Sequence, residues 1–145
     1  MIRRTTIAAG ILMLGLAITI SARDTPVQTK PAQPAGWSLP ADADATKNPH
    51  TVDDKLLASG RAVFKDKCQR CHGPGGLGDG ADADPDVRED MDLTDPKKAD
   101  KNSDGVVYYK VLNGRRRPKM PAFKEELKPD EIWSVVAYVQ TLRKK

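Results

Sequence analysis

The chain has 145 residues, room for one domain of ordinary size, and 30% of them are charged while only 5% are aromatic. With so little apolar material a folded domain would have a small core, and a large bound cofactor would add the apolar bulk that the side chains lack. The formal net charge is +4, and the scarcity of aromatic side chains argues against a nucleic-acid-binding protein.

The N-terminus has the pattern of an export signal. Arg3 and Arg4 precede an uncharged apolar run over residues 7–20, and two small residues follow it. This run is short for a membrane span. Residues 1–22 are therefore predicted to be a cleaved export signal or, as the alternative, an uncleaved anchor formed by residues 5–22. Either reading places the remainder outside the cytoplasm, in the periplasm.

Residues 23–51 are predicted to form a linker. They contain five prolines and no apolar periodicity. Such a composition buries too little surface to offset the entropy of ordering, so a semi-extended chain is expected. Trp37 is the exception, and the sequence leaves open whether it packs on a domain or is exposed.

The pattern over residues 52–145 predicts a domain of helices and loops, without strands. A first helix, favoured at its start by Asp53 and Asp54, is expected to run to about Cys68. A glycine-rich loop follows, and residues 79–93 are expected to be irregular.

Two further helices are predicted in the C-terminal part. A short one is expected to end at Asn113 and Gly114, a pair suited to a left-handed cap, and a proline-containing loop follows it. The strongest helix starts near Pro129. Its apolar stripe consists of Ile132, Val135, Val136, Val139 and Leu142.

The only two cysteines, Cys68 and Cys71, stand three positions apart, and His72 follows at once. This Cys-x-x-Cys-His pattern is the attachment motif for c-type haem. The two thiols add to the two vinyl groups at one edge of the porphyrin, and the imidazole of the next residue then reaches the iron. A covalent link also retains a cofactor that a small domain could otherwise lose.

The cysteine pair has two other possible roles. A redox disulfide of the thioredoxin kind needs strands around the motif, whereas here the flanks read as a helix and a glycine loop. A zinc site needs a further ligand pair, and the only other histidine is His50, in the predicted linker.

Residues 52–142 resemble the small class I cytochrome c domain of bacteria. The matching pieces stand in order: GRAVFKDKCQRCHG, GLGDG, DLTDP, YYKVLNGR, KMPAF and DEIWSVVAYVQTL. The resemblance implies an all-α cytochrome c fold, with three to four helices and long loops around one covalently bound haem c. It covers neither the linker nor the export segment.

The resemblance also implies the iron ligands. His72 corresponds to the proximal ligand, and Met120, in a Met-Pro pair, corresponds to the distal one. A thioether is a soft ligand suited to haem iron and raises the reduction potential. Met91 is a rival for the distal position and His50 a weaker one. A carbonyl acceptor for the second nitrogen of His72 is expected, although the sequence does not identify it.

The resemblance assigns a structural role to two residues of the first helix. Gly60 and Phe64 correspond to the pair with which this helix crosses the last one, against Val135 and Tyr138. For Trp133, a place in the core is favoured over a place at the haem edge.

Charge is unevenly distributed along the domain. Residues 79–104 carry ten acidic and four basic side chains, and residues 105–145 carry ten basic and four acidic ones. Four basic residues precede the predicted distal ligand: Arg115, Arg116, Arg117 and Lys119. They are expected either to dock an acidic redox partner or, for one of them, to contact a haem propionate.

The sequence therefore predicts a single-haem electron carrier and not an enzyme, because no catalytic acid, base or nucleophile has a supporting site. Single electrons would pass between exported or membrane redox partners by outer-sphere transfer through an exposed haem edge. Two alternatives stay open. The domain could be the electron-accepting cytochrome subunit of an exported dehydrogenase or oxidase, or a haem sensor or peroxidase with an open sixth site.

Overall fold

The computed structural model describes residues 34–143, so the predicted export signal and possible tether lie outside the described residues. Within that range the α-helices are α1 (Asp54–Val63), α2 (Gln69–His72), α3 (Arg88–Met91), α4 (Asp104–Asn113) and α5 (Pro129–Thr141). Long loops and two 3-10 segments, Pro85–Val87 and Pro96–Lys101, lie between them, and a third, Ala43–Ala45, precedes α1. The described part contains isolated β-bridges but no strand. The prediction of an all-α fold is confirmed.

The helix that carries the cysteine motif is longer than expected. Asp53 begins α1, because its carboxylate accepts a hydrogen bond from the Leu56 amide at 2.7 Å. The helix then widens into a π-helical turn, Phe64–Cys68, and continues as α2. It ends at Gly73, whose φ of 77° favours glycine. The whole Cys-x-x-Cys-His motif therefore lies in the last turns of one helix.

A close crossing of α1 and α5 organises the fold. A Cβ on Gly60 would lie only 2.0 Å from the Ser134 carbonyl oxygen, so only glycine allows this approach. One turn later the Phe64 ring packs on Tyr138 with 5.3 Å between ring centroids. Phe64 and Val135 belong to the same buried apolar cluster. The predicted crossing is confirmed.

A second apolar cluster lies between α4 and α5. Its buried members are Val111, Phe123, Ile132, Trp133 and Val136. The Trp133 ring is 8% exposed and stacks on Tyr108 at a centroid distance of 4.1 Å. Trp133 thus belongs to the core, as the sequence favoured.

The acidic stretch before α4 is more ordered than expected. The side chain of Asp84 accepts a hydrogen bond from the Asp86 amide at 3.0 Å, at the start of the turn Pro85–Val87. The helix α3 follows directly. The expectation that residues 79–93 are irregular is wrong for this segment, because a capped turn and four helical residues are too short to produce apolar periodicity.

The segment that precedes α1 packs on the helices, which the sequence did not anticipate. Ala43 is buried, and Asn48 donates a side-chain hydrogen bond of 3.0 Å to the Trp133 carbonyl. The Gly105 amide donates to the Thr46 carbonyl at 3.1 Å. The division into a linker and a domain at residues 51 and 52 stays a prediction.

Candidate functional site

A cavity of about 220 Å³ opens between the end of α2, the helices α4 and α5, and the loop after α4. The sequence-predicted residues Cys68, Cys71, His72 and Met120 all line it. Apolar side chains form much of the remaining wall: Phe64, Leu93, Val107, Val111, Phe123, Val135, Val136 and Val139. The fold thus brings Cys68 and Met120, which are 52 positions apart in the chain, to one cavity.

The two thiols are half-buried and are not bonded to each other. Burial, with smaller contributions from Cys71 and Asp66, raises the pKa of the Cys68 thiol to about 12. Redox-active Cys-x-x-Cys pairs have the opposite property, a lowered thiol pKa that supplies the thiolate nucleophile. This environment does not favour disulfide exchange.

The imidazole of His72 is held in a fixed orientation. Its Nδ1 lies 2.7 Å from the main-chain carbonyl oxygen of Met91, so Nδ1–H donates and Nε2 remains to bind a metal. Burial lowers the pKa of His72, although the bond to Met91 opposes the shift. A neutral imidazole with one oriented lone pair is the form that ligates iron.

This hydrogen bond supplies the carbonyl acceptor that the sequence did not identify. It also bears on the rival distal ligands. The main chain of Met91 is hydrogen-bonded to Nδ1 of His72, on the side of the ring that faces away from Nε2. A metal on Nε2 would therefore lie on the other side of the imidazole from the Met91 main chain. His50 does not line the cavity and instead pairs with Asp130 at 3.1 Å.

Met120 belongs to a loop that folds back on itself. Its amide donates to the Arg115 carbonyl, and its carbonyl accepts from the Arg115 amide, both at 2.9 Å. The prolines on either side of the Lys119-Met120 pair, Pro118 and Pro121, also line the cavity. The loop therefore holds a thioether side chain at the cavity wall.

The four basic residues that the sequence grouped together have different environments. Arg115 lines the cavity with a side chain only 15% exposed, 3.3 Å from Asp90. Its Nε is buried and has no hydrogen-bond partner among the described residues. Arg116, Arg117 and Lys119 are exposed, although Lys119 also borders the cavity.

Four further basic residues line the cavity, and none of them was predicted from the sequence: Lys67, Lys98, Lys110 and Arg143. Burial, then the charges of Arg115 and Arg143, lowers the pKa of Lys110 to about 8. Lys110 bonds the side-chain oxygen of Asn102, and Arg143 donates to the Asn102 carbonyl at 2.6 Å. The sequence feature that could have indicated Lys110 is its position as the one lysine within the apolar pattern of α4.

These residues fit a covalently bound haem. The apolar walls suit a porphyrin, the thiols and imidazole suit its attachment and its iron, and Met120 supplies a soft second ligand. Three converging cations, one with a buried unsatisfied N–H, suit the two carboxylates of the same molecule. The cavity wall also contains three carboxylates, Asp90, Asp92 and Asp95, and Asp90 lies 3.3 Å from Arg115.

Comparison with known proteins supports the same assignment. The family model described as "Cytochrome C oxidase, cbb3-type, subunit III" matches residues 55–139, more than half of the chain. Cytochrome c6 of Anabaena variabilis is 35% identical over 81 residues, which cover 56% of this chain and 85% of that protein. The quinohemoprotein alcohol dehydrogenase ADH IIB of Pseudomonas putida is 28% identical over 125 residues. That match covers 86% of this chain and only 16% of the dehydrogenase.

Solved structures give a consistent result. A chain of the reducing HAO-like protein complex of Kuenenia stuttgartiensis is 27% identical, with a TM-score of 0.51. The match covers 66% of this chain and 47% of that one. Cytochrome cL of Methylophaga aminisulfidivorans MPT is 26% identical with a TM-score of 0.50, covering 66% of this chain and 60% of that one.

The fold and the cavity define a class I c-type cytochrome domain, as the sequence predicted. The chain belongs to the family of cytochrome c domains that the cbb3-type subunit III model describes. The predicted cofactor, covalently bound haem c with its iron, is confirmed by this membership. The general function that follows is electron transfer.

Proposed function

We propose that this chain carries single electrons between redox proteins outside the cytoplasm, through an exposed edge of one haem c. In this proposal Cys68 and Cys71 form the two thioether links, and His72 and Met120 are the axial ligands of the iron. The observation that supports it best is that all four side chains line one cavity with largely apolar walls.

The protein residues have two tasks in this function, to bind the iron and to exclude water. When bound, the haem iron supplies a centre that alternates between the ferric and ferrous states. His72, oriented by the Met91 carbonyl, and Met120, held by its loop, would both bind the iron and would leave no site on it for a substrate. The apolar walls would limit the access of water to the iron, and solvent access is one of the factors that set its reduction potential.

The basic loop divides into two parts in this proposal. Arg115 faces the cavity and contacts a haem carboxylate, whereas Arg116, Arg117 and Lys119 form an exposed basic patch beside it. A positive patch next to the cavity opening attracts an acidic redox partner and speeds their encounter.

The location outside the cytoplasm rests on the N-terminal export pattern, which lies outside the described residues. Among residues 34–143, no helix is both long and apolar enough to cross a bilayer. Whether residues 5–22 are cleaved or form a tether can be read from the mass of the mature protein.

A second candidate is an electron-accepting cytochrome domain of an exported dehydrogenase. The match to the alcohol dehydrogenase favours it, because 125 aligned residues of a 145-residue chain must include residues 34–51. These residues lie outside the family-model match. Purification of the native protein distinguishes the two: a free carrier is isolated alone, whereas a dehydrogenase domain co-purifies with a large oxidoreductase.

The axial ligands can be tested with two methionine variants. The protein is produced with a haem-attachment system, and its ferric absorption spectrum is recorded. We expect a low-spin spectrum with the weak charge-transfer band of a methionine–iron bond. Met120→Leu should abolish this band and allow the reduced protein to bind carbon monoxide.

Met91→Leu is the matched control. It removes the other candidate thioether but keeps the main-chain carbonyl that orients His72, so the band should remain. Loss of the band in Met91→Leu but not in Met120→Leu would reverse the assignment. A wild-type protein that already binds carbon monoxide would instead support the sensor or peroxidase alternative.

A further inference from the structure

Residues 34–40 run along the outside of the loop that carries Met120, and we call this segment the strap. The Arg116 amide donates to the Pro34 carbonyl at 2.9 Å, and the Arg117 amide donates to the Ala35 carbonyl at 3.2 Å. At the other end of the strap, the Asn113 side chain donates to the Ser38 carbonyl at 3.0 Å. Hydrogen bonds thus join the strap to residues at both ends of the segment 113–117.

Trp37 is the only residue of the strap that lines the cavity. Its ring lies under two cations, with the Arg115 guanidinium carbon 4.3 Å and the Lys110 Nζ 5.0 Å from the ring centroid. Cation–ring contacts of this kind are strongest when the cation has lost part of its hydration. Both cations are partly buried, so their contacts with the Trp37 ring help to hold them at the cavity wall.

Arg115 links the strap to the proposed iron ligand. Its side chain lies on Trp37, and its main chain makes both hydrogen bonds with Met120. The next two residues make the hydrogen bonds to the strap. A continuous set of contacts therefore runs from Trp37 through Arg115 to Met120.

We propose that the strap is a positioning element of the haem site, with Trp37 as its anchor, and that it keeps Met120 on the iron. The inference rests on the proposed ligation by Met120 and goes beyond it, because it assigns a role in that ligation to a segment outside the residues matched by the family model. Without the anchor, the loop of residues 115–120 would lose contacts on its outer side. Exogenous ligands would then displace Met120 more easily.

The test measures how readily imidazole displaces methionine from the ferric protein. Titration with imidazole is followed by loss of the methionine–iron band in the full-length holoprotein. Trp37→Ala should raise the affinity for imidazole about tenfold, the factor expected from losing two partly desolvated cation–ring contacts. Trp37→Phe keeps an aromatic face for the cations and should restore most of the wild-type affinity.

Leu39→Ala is the control within the strap, since Leu39 is exposed and its side chain does not line the cavity. It should leave imidazole affinity unchanged. If Trp37→Ala lowers only the thermal stability and leaves imidazole affinity at the wild-type value, the strap has no positioning role and the inference is wrong. Equal effects of Trp37→Ala and Trp37→Phe would also overturn it.

The outcome separates this inference from the proposed ligation. A wild-type protein without the methionine–iron band would refute ligation by Met120, and the strap inference with it. A wild-type protein with the band and an unchanged Trp37→Ala variant would refute only the strap inference. If Trp37→Ala fails to incorporate haem, Trp37→Leu, which keeps apolar bulk but has no aromatic face, takes its place in the same titration and should raise the imidazole affinity in the same direction.

Discussion

Arg115 and Arg116 are neighbours in the chain but differ in their surroundings. The Arg115 side chain is buried beside the cavity, where its Nε has no partner among the described residues, while Arg116 is exposed. A buried guanidinium of this kind is stabilised when an anion is placed next to it. The neighbouring pair therefore offers a matched test of where the haem carboxylates bind.

We expect Arg115→Met to lower the reduction potential by tens of millivolts, because removing a nearby positive charge favours the ferric state. The free energy of unfolding of the holoprotein should fall by about 1.5–3 kcal/mol, the usual contribution of a hydrogen bond to a charged group. Redox titration and denaturant unfolding measure the two quantities.

Arg116→Met removes the same charge one residue away and should change the unfolding free energy by less than about 0.5 kcal/mol. Its effect on the potential should be smaller, since solvent screens an exposed charge. Equal shifts of the potential in both variants would place the carboxylates elsewhere.

At the scale of elements, the crossing of α1 and α5 determines where the cysteine motif lies. The motif is at the end of the helix that α1 begins, and α5 supplies part of the cavity wall. Gly60 sets the distance between the two helices, because any Cβ there would meet main-chain atoms of Ser134. Main-chain atoms cannot move aside as a flexible side chain can.

Gly60→Ala should therefore destabilise the protein, although alanine is the better helix former. Alanine gains about 1 kcal/mol in an unstrained helix, while overpacking of a close contact costs about 1–3 kcal/mol and occasionally more. We expect a net loss of unfolding free energy, measured by denaturant unfolding followed by circular dichroism. Ser59→Ala, at the exposed neighbouring position, should change it by less than about 0.5 kcal/mol; stabilisation by Gly60→Ala would contradict the crossing.

The elements differ in how well the sequence predicts them, for a physical reason. The helices α1, α4 and α5 have 10, 10 and 13 residues, long enough for their apolar spacing to be readable, although α5 buries every residue from 132 to 139. The helix α3 has four residues and no buried face to produce a pattern.

The candidate site was predictable to the extent that it depends on local spacing. Cys68, Cys71 and His72 form a motif within five residues, and Met120 precedes a proline in a loop. The Met91 carbonyl was not predictable, because every residue has a carbonyl and only the fold selects one. Nor was the cation cluster, since Lys110 and Arg143 meet only when α4 and the end of α5 pack together.

The sequence left open whether Trp37, and with it the strap, packs on the domain, for a similar reason. The strap's contacts with residues 115–117 are largely hydrogen bonds between main-chain atoms, which leave no side-chain signature. Its prolines and small residues correctly indicate the absence of a helix. They do not indicate whether an extended segment is free or lies along a loop.

At the scale of the whole molecule, acidic and basic side chains are concentrated in different parts of the chain. Residues 79–104, which end at the first residue of α4, carry ten acidic and four basic side chains, and the balance reverses in residues 105–145. The exposed basic patch of Arg116, Arg117 and Lys119 lies beside the cavity. If electrons pass through this region, the local charge should decide the rate with a charged reagent, whatever the net charge of the protein.

Small redox reagents of opposite charge provide the test without requiring the natural partner. We expect the double variant Arg116→Gln/Arg117→Gln to slow oxidation of the ferrous protein by anionic ferricyanide several-fold at low ionic strength, and to speed its oxidation by a cationic cobalt complex. Both changes should shrink as salt is added, because the Debye length falls to about 10 Å at 0.1 M. Stopped-flow absorption measures the rates.

The control changes the same amount of charge in the acidic region. Asp84 and Asp86 are exposed and lie outside the cavity wall, so Asp84→Asn/Asp86→Asn should alter both rates much less than the arginine variant does. If the two double variants changed the rates equally and in opposite directions, only net charge would matter. The patch beside the cavity would then have no special role in electron exchange, and the proposed docking surface would be wrong.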